Sequence, residues 1–272
     1  MGIQDQIGET NERHWERMVQ EGCGFTRPWL DLDRTLLRRY AQGQREGVPA
    51  SLLDLYPARL LADVEGQKVL CLASGGGQQS AVFGLLGAHV TVVDLSEGQL
   101  AGDRTAAAHY GYEVTTVRAD MRDLSCLPEA SFSLVFQAPS MAYIPDVRQV
   151  YAQVARVLHQ QGVYRVCFTN PATEFVDWNS WDGEGYRITL PYAARVELPE
   201  ADEPDGFEPE GSMQFRHYMD DIFNGLLAVG LSIEQVQDSP QYFLAENAQA
   251  QPGGWAHWLT YVGEFAVVAR KG

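Results

Sequence analysis

The sequence predicts an α/β fold built on a doubly wound parallel sheet, and three observations lead to it. A continuous apolar run, Val69–Leu72, feeds directly into Ser74-Gly-Gly-Gly77. A second run, Val90–Val93, ends on Asp94. Apolar runs then alternate with helical patterns as far as Phe168. Uninterrupted apolar runs are what strands buried on both faces require. A glycine turn between strand and helix is the joint at which such sheets bring a small molecule against the backbone.

Taken in order, residues 1–62 read as a helical, polar cover. Trp15, Met18 and Val19 lie at helical spacing and Gly22 can end that helix; Leu36, Leu37 and Tyr40 mark a second, and a leucine pattern from Leu52 breaks at Pro57. Residues 63–170 hold the strand–helix alternation. Residues 78–86 form a helix stopped by Gly87, and Ser96 with Gln99 has capping-box spacing for a helix that Gly111 can end. Val114–Val117 and Phe132–Phe136 read as the third and fourth strands. Pro145-Asp146 opens a helix lined by Val147, Val150, Val154, Val157 and Leu158, which Gly162 is expected to stop, and Val163–Phe168 is the fifth strand. Four helical crossovers are expected between these five strands. Residues 171–217, with Phe175, Trp178 and Trp181 and the acidic, Pro-rich run Glu197–Glu210, read as an insertion; a connection this long in a compact domain is usually functional or disordered. Residues 218–272 read as a helix, Tyr218–Val229, and two strands, Leu231–Val236 and Phe265–Ala269, separated by a long loop.

Composition excludes several classes. Twenty Lys+Arg against 36 Asp+Glu give a net charge of −16, which opposes a phosphate backbone, so no nucleic-acid partner is expected. No apolar stretch approaches a membrane span, and no basic-then-apolar leader opens the chain. Cys23, Cys71, Cys126 and Cys167 form no C-x-x-C pair, which fits a reduced, cytoplasmic chain. Six scattered histidines form no ligand cluster, so no metal is expected.

The glycine turn admits three readings. Gly75, Gly77 and Ser80 give G-x-G-x-x-S, an imperfect dinucleotide fingerprint with Asp94 at ribose distance. A site for S-adenosylmethionine also begins with a strand and a glycine turn, where a missing Cβ lets a ligand meet backbone. The turn could instead serve tight packing alone. The second reading fits best. Asp120, after the third strand, offers a carboxylate to an adenine amino group, and no Tyr-x-x-x-Lys constellation for hydride transfer is present.

The chain resembles the class I S-adenosylmethionine-dependent methyltransferases. The resemblance is carried by Val-Leu-Cys-Leu-Ala-Ser-Gly-Gly-Gly-Gln-Gln at 69–79, Val-Thr-Val-Val-Asp-Leu-Ser at 90–96 and Ala-Asp-Met-Arg-Asp-Leu-Ser at 119–125. The head Asn11-x-x-x-Trp15 and the helix from Tyr218 resemble one bacterial branch, of methyltransferase type 11 or 25. The resemblance implies a Rossmann-like sheet of seven strands with the last antiparallel. It implies S-adenosyl-L-methionine as cofactor and direct in-line methyl transfer to a small molecule. By residue, Ser74, Gly75, Gly76, Gly77 and Gln78 would form the donor loop beside Ala73. Asp94 would hold the ribose, Leu95 would pack on the adenine, and Asp120 and Met121 would bracket the base, with Gln99, Gln137 and Ala138 completing the site. Gln137-Ala-Pro-Ser140 departs from the [Asn/Asp/Ser]-Pro-Pro-[Tyr/Phe] of amino-directed DNA methyltransferases, which disfavours base methylation. A non-catalytic donor-binding protein stays open as an alternative, as does, further off, an NAD(P)-dependent oxidoreductase.

Methyl transfer from a sulfonium needs mainly positioning. Where a proton must leave, His217 and Tyr143 are candidate bases, with Tyr218 behind them and His257 weaker. Trp15, Trp178 and Tyr192 are candidate acceptor contacts, with Phe175 and Trp181 as further aromatics. Ligands in such sheets bind at the carboxyl ends of the strands, so 1–62 and 171–215 are expected to close over the donor, with Phe25–Trp29 close by.

Overall fold

The computed structural model describes residues 5–171, 175–192, 206–207, 211–238 and 252–272. Most of the acidic run Glu197–Glu210 therefore lies outside the described residues. Helix α1, Gln6–Gln20, starts where the Asp5 carboxylate accepts the Gly8 N–H, and α2, Arg34–Ala41, starts on Asp33 in the same way. A short α3, Ala50–Leu53, follows. The alternating part runs β1 (Lys68–Leu72), α4 (Gln79–Leu85), β2 (His89–Asp94), α5 (Glu97–Tyr110), β3 (Val114–Arg118), β4 (Phe132–Gln137), α6 (Val147–Val157) and β5 (Leu158–Thr169). Ser96 caps α5 and Gly111 ends it at φ 73°. Two-residue strands β6 (Val176–Asp177), β7 (Arg187–Ile188), β8 (Gly206–Phe207) and β9 (Gln214–Phe215) form two small hairpin pairs. The chain ends with α7 (Met219–Ala228), β10 (Leu231–Asp238), α8 (Trp255–Val262) and β11 (Glu264–Lys271).

The seven-stranded sheet has the order β10-β11-β5-β4-β1-β2-β3. All neighbours from β5 to β3 pair parallel, and β11 pairs antiparallel with both β5 and β10. This is the expected architecture, antiparallel last strand included. Alternate side chains feed two cores. Leu70 and Leu72 of β1 pack with Val150, Tyr151 and Val154 of α6 and Ile222 and Leu226 of α7. Val69 and Cys71 pack with Phe83 of α4, Leu100 of α5, and Leu37, Tyr40 and Leu52 of the N-terminal segment. Chain order reverses between β1 and β4, so the crevice above their carboxyl ends is the switch point where a ligand fits.

Three local expectations are corrected. The connection from β3 to β4 contains turns and no helix, because Asp123 folds its own carboxylate onto the Ser125 N–H. Gly162 does not stop α6: the helix ends at Val157 and Gly162 lies inside β5, where pairing with β4 shifts register between Phe132 and Leu134. The long loop before β11 contains α8.

Candidate functional site

The site grows from the end of β1. Ala73 turns the chain at φ 45° while its N–H stays on the Val93 carbonyl of β2, 2.8 Å away. The Ser74 hydroxyl donates to the Leu72 carbonyl at 2.9 Å and accepts the Ala138 N–H at 3.1 Å. It thereby ties the glycine turn to the loop after β4. The Asp94 carboxylate accepts the Gly75 N–H at 3.0 Å and the Ser96 N–H at 3.0 Å. Burial pushes Asp94 up to about 6 against the pull of these two N–H groups, and the charge of Glu16 adds to the rise.

Behind the turn stands Asp103 of α5, a residue sequence reasoning missed. It is wholly buried, accepts the N–H of Gly76 at 3.2 Å and of Gly77 at 3.1 Å, and takes the Ser80 hydroxyl at 2.5 Å. Burial raises it to about 7, opposed by the Ser80 hydrogen bond and aided by the Asp94 charge. The neighbouring Gly102 explains its burial: a Cβ there would stand 2.9 Å from the Gly76 carbonyl carbon, so helix and turn touch backbone to backbone.

Above the turn lies a cavity of about 1410 Å³. Of the expected donor residues, Ala73, Ser74, Gly75, Gln78, Asp94, Leu95, Gln99, Asp120, Met121 and Ala138 line it. Gly76, Gly77 and Gln137 are absent from its wall: the first two turn their N–H groups to Asp103, and Gln137 lies fully buried beneath the floor. The Gln137 amide donates to the Ser140 hydroxyl at 2.9 Å and accepts the Tyr164 hydroxyl. Asp120 lines the cavity with both oxygens engaged by Arg122, which holds them at 3.0 and 2.6 Å and reaches Asp5 at 2.8 and 2.9 Å. Arg122 thus latches the start of α1 to the edge of the site. Arg122→Gln is expected to speed amide exchange across residues 6–12 by about tenfold or more, because a buried charge pair loses its cation. Exchange in that helix unchanged from wild type removes the latch.

The N-terminal segment closes over the turn. Gln78 donates to the carbonyls of Gly24 at 2.9 Å and Arg27 at 3.1 Å, and the Trp29 N–H reaches the Gly77 carbonyl at 3.1 Å. Phe25 and Trp29 line the cavity. Asn11 joins three segments: its amide donates to the Tyr143 carbonyl at 3.1 Å and its carbonyl accepts the Met213 N–H at 2.7 Å. Its side of α1 was visible only as part of the head Asn11-x-x-x-Trp15. Of the two segments expected to close over the donor, α1 lines the cavity through Trp15, and 171–215 does so at Trp178, Leu190 and Phe215 among its described residues. Helix α2 packs instead on the sheet face.

Trp15, Trp178, Tyr143 and His217 all reach the cavity. Trp15 meets the Tyr143 ring edge-on at 5.7 Å, and His217 donates from Nε2 to the Met141 carbonyl at 2.8 Å. Tyr192 does not line the cavity; its hydroxyl accepts the Met219 N–H and its ring packs on Phe175 and Tyr218. Trp181 joins Tyr186, His257 and Tyr261 in a separate aromatic cluster, where His257 bonds the Tyr186 hydroxyl at 2.7 Å. Among the described residues no group of His, Cys, Asp and Glu could hold a metal ion, and no helix is long and apolar enough to cross a membrane.

The walls fit an adenosyl donor on two observations. A Cβ on Gly75 would lie 2.5 Å from Gln99 Cβ and 2.9 Å from Asp94 Oδ2, so only glycine leaves that cradle open. Gln99 Oε1, buried on the same wall, has no hydrogen-bond partner, as an acceptor waiting for a ligand would.

Comparison with known proteins agrees with this geometry. Residues 70–166 match the family described as "Methyltransferase domain". The chain is 29% identical over 226 residues to the uncharacterized methyltransferase YbaJ of Bacillus subtilis, covering 82% of this chain and 87% of that one. In fold it is similar to an S-adenosylmethionine-dependent methyltransferase from Mesorhizobium loti, with TM-score 0.62 and 22% identity over 78% of this chain and 94% of that one. It is also similar to the geranyl diphosphate C-methyltransferase of Streptomyces coelicolor, solved with S-adenosyl-L-homocysteine, with TM-score 0.61 and 14% identity over 98% of both chains.

Proposed function

We propose that this chain, a class I S-adenosylmethionine-dependent methyltransferase, transfers a methyl group directly to a small-molecule acceptor inside the cavity above β1 and β4. The observation that carries the reading is room beside the cradle. Ligand pockets run to roughly 300–1,000 Å³. The cavity of about 1410 Å³ exceeds this, while the donor cradle of Ser74, Gly75, Asp94 and Gln99 occupies one end.

The cofactor supplies a methyl group already activated on sulfur. The chain's own residues bind, orient and exclude water. Asp94 accepts hydrogen bonds from ribose hydroxyls, since a carboxylate holding two N–H groups still has lone pairs to offer. Ser74 keeps the turn and Ala138 in register, which fixes the donor against the acceptor space between Ser140, Tyr143, Trp178 and His217. His217 donates from Nε2 to the Met141 carbonyl, which fixes its ring in the wall on the acceptor side.

Isothermal titration with S-adenosylhomocysteine tests the reading. Saturable one-to-one binding is expected, with no binding of NAD; the reverse pattern overturns it. The pH dependence has a definite sign. With Asp94 at about 6, lowering the pH protonates it and removes the better acceptor. Product affinity is therefore expected to fall about tenfold between pH 7 and pH 5, following the ionised fraction. Asp94→Asn should flatten that profile; a variant that keeps it takes Asp94 out of the ribose contact.

A further inference from the structure

At the other end of the cavity Glu264, the first residue of β11, stands opposite Thr169 of β5. It is set there by the joint between α8 and β11, where Gly263 turns at φ 71° and accepts the Asn170 N–H. The same stretch of wall carries Asp54, Tyr56, Arg165 and Cys167. The cation there is committed. Arg165 donates to the carbonyls of Tyr56 at 3.0 Å, Gln137 at 2.9 Å and Asp54 at 3.2 Å, and its guanidinium lies over the rings of Phe136 and Tyr56 at 4.4 and 5.0 Å. The Cys167 thiol and the Tyr56 hydroxyl meet each other at 3.6 Å. Among the described residues, the Glu264 carboxylate has no hydrogen-bond or ion-pair partner. Burial raises it to about 7, with the Asp54 charge adding and Arg165 opposing. Glu264 is half-buried, so its carboxylate is open to the cavity and available to a ligand that displaces water.

Position says which part of the ligand that is. β11 lies two strands from β4, about 10 Å across the sheet at the usual strand spacing, so Glu264 faces the far end of the acceptor and not the reacting atom. The wall on the way is apolar, with Trp178, Trp258 and Leu259. With Arg165 committed to three carbonyls, no cation among the described residues pairs with Glu264. We propose that Glu264 is an acceptor-recognition residue, and that the acceptor is an apolar or aromatic molecule carrying a protonated amine that pairs with it. The inference rests on the methyl-transfer reading above. Arg216, also on the wall and with Nε lacking a partner, makes an anionic acceptor the rival outcome.

The test uses the full chain saturated with S-adenosylhomocysteine, whose binding is measured first. Failure of that step takes away the methyl-transfer reading; the remaining arms concern Glu264 alone. 2-Phenylethylamine, 2-phenylethanol and phenylacetate are then titrated. The amine is expected to bind about tenfold or more tightly than the alcohol, with phenylacetate weakest, as a charge-assisted hydrogen bond implies. Glu264→Gln should bring the amine down to the level of the alcohol while leaving S-adenosylhomocysteine affinity unchanged, which also reports that the variant is folded. Glu264→Asp should keep the preference at reduced affinity. Tighter binding of phenylacetate, equal binding of all three, no binding of the amine, or a Glu264→Gln variant that keeps the amine preference overturns the proposal.

Discussion

Asp103→Ala is expected to lower stability by about 3 kcal/mol and to abolish measurable binding of S-adenosylhomocysteine. The change removes the shared acceptor of two peptide N–H groups and a hydroxyl, all inside the protein. Each buried donor left unmade costs roughly 1–3 kcal/mol, and relief from burying the carboxylate offsets part of the sum. The pH dependence sharpens the test. Asp103 is raised from 3.8 to about 7 in the folded chain, so proton uptake favours folding. Its charged form is disfavoured above pH 7, and the strain is relieved as the pH falls through 7 toward 3.8. The stability gap between wild type and Asp103→Ala should therefore be wider at pH 6 than at pH 8. Urea unfolding at the two values measures it. A variant within about 0.5 kcal/mol of wild type, binding product normally, removes Asp103 as the support of the turn.

The sheet was legible because its strands are apolar without interruption: Val69–Leu72, Val90–Val93 and Phe132–Phe136 each lie within an observed strand. The glycine turn and the carboxylate that meets it were legible because Gly75 and Asp94 are joined through backbone N–H, at the ends of two apolar runs. Asp103 was not. On sequence alone it is a polar residue in a helix, and only the approach of Gly102 to Gly76 buries it. Asp120, expected to bracket the base, lines the cavity, but Arg122, two residues on, engages both of its oxygens. The aromatics divide for a reason no spacing reveals. Trp178 has open space before it, whereas Trp181 and Tyr192 find ring partners in their own segments and elsewhere in the chain. Glu264 was invisible because the residue it pairs with, Thr169, is almost a hundred residues away in the chain.

Gly75→Ala is expected to weaken S-adenosylhomocysteine binding by about a hundredfold or more while the chain stays folded. Gly75 does not need glycine for its backbone angle, since it is not among the positive-φ residues. It needs glycine for space. The added Cβ would stand 2.5 Å from Gln99 Cβ, 2.9 Å from Asp94 Oδ2 and 3.1 Å from Asp94 Cγ. Something must shift, and what shifts is Asp94 together with the start of α5. A displacement of about 1 Å at a positioning residue is enough for a hundredfold effect. Gly225→Ala is the control. Its Cβ would meet the Tyr151 ring at 2.9 and 3.0 Å, between α7 and α6, and neither residue lines the cavity. Overpacking there should cost about 1–3 kcal/mol of stability with product affinity unchanged. Titration calorimetry and urea unfolding on both variants separate steric loss of the site from general destabilisation. Normal product binding by Gly75→Ala, or equal loss of binding in both variants, would show that the cradle is not where the donor sits.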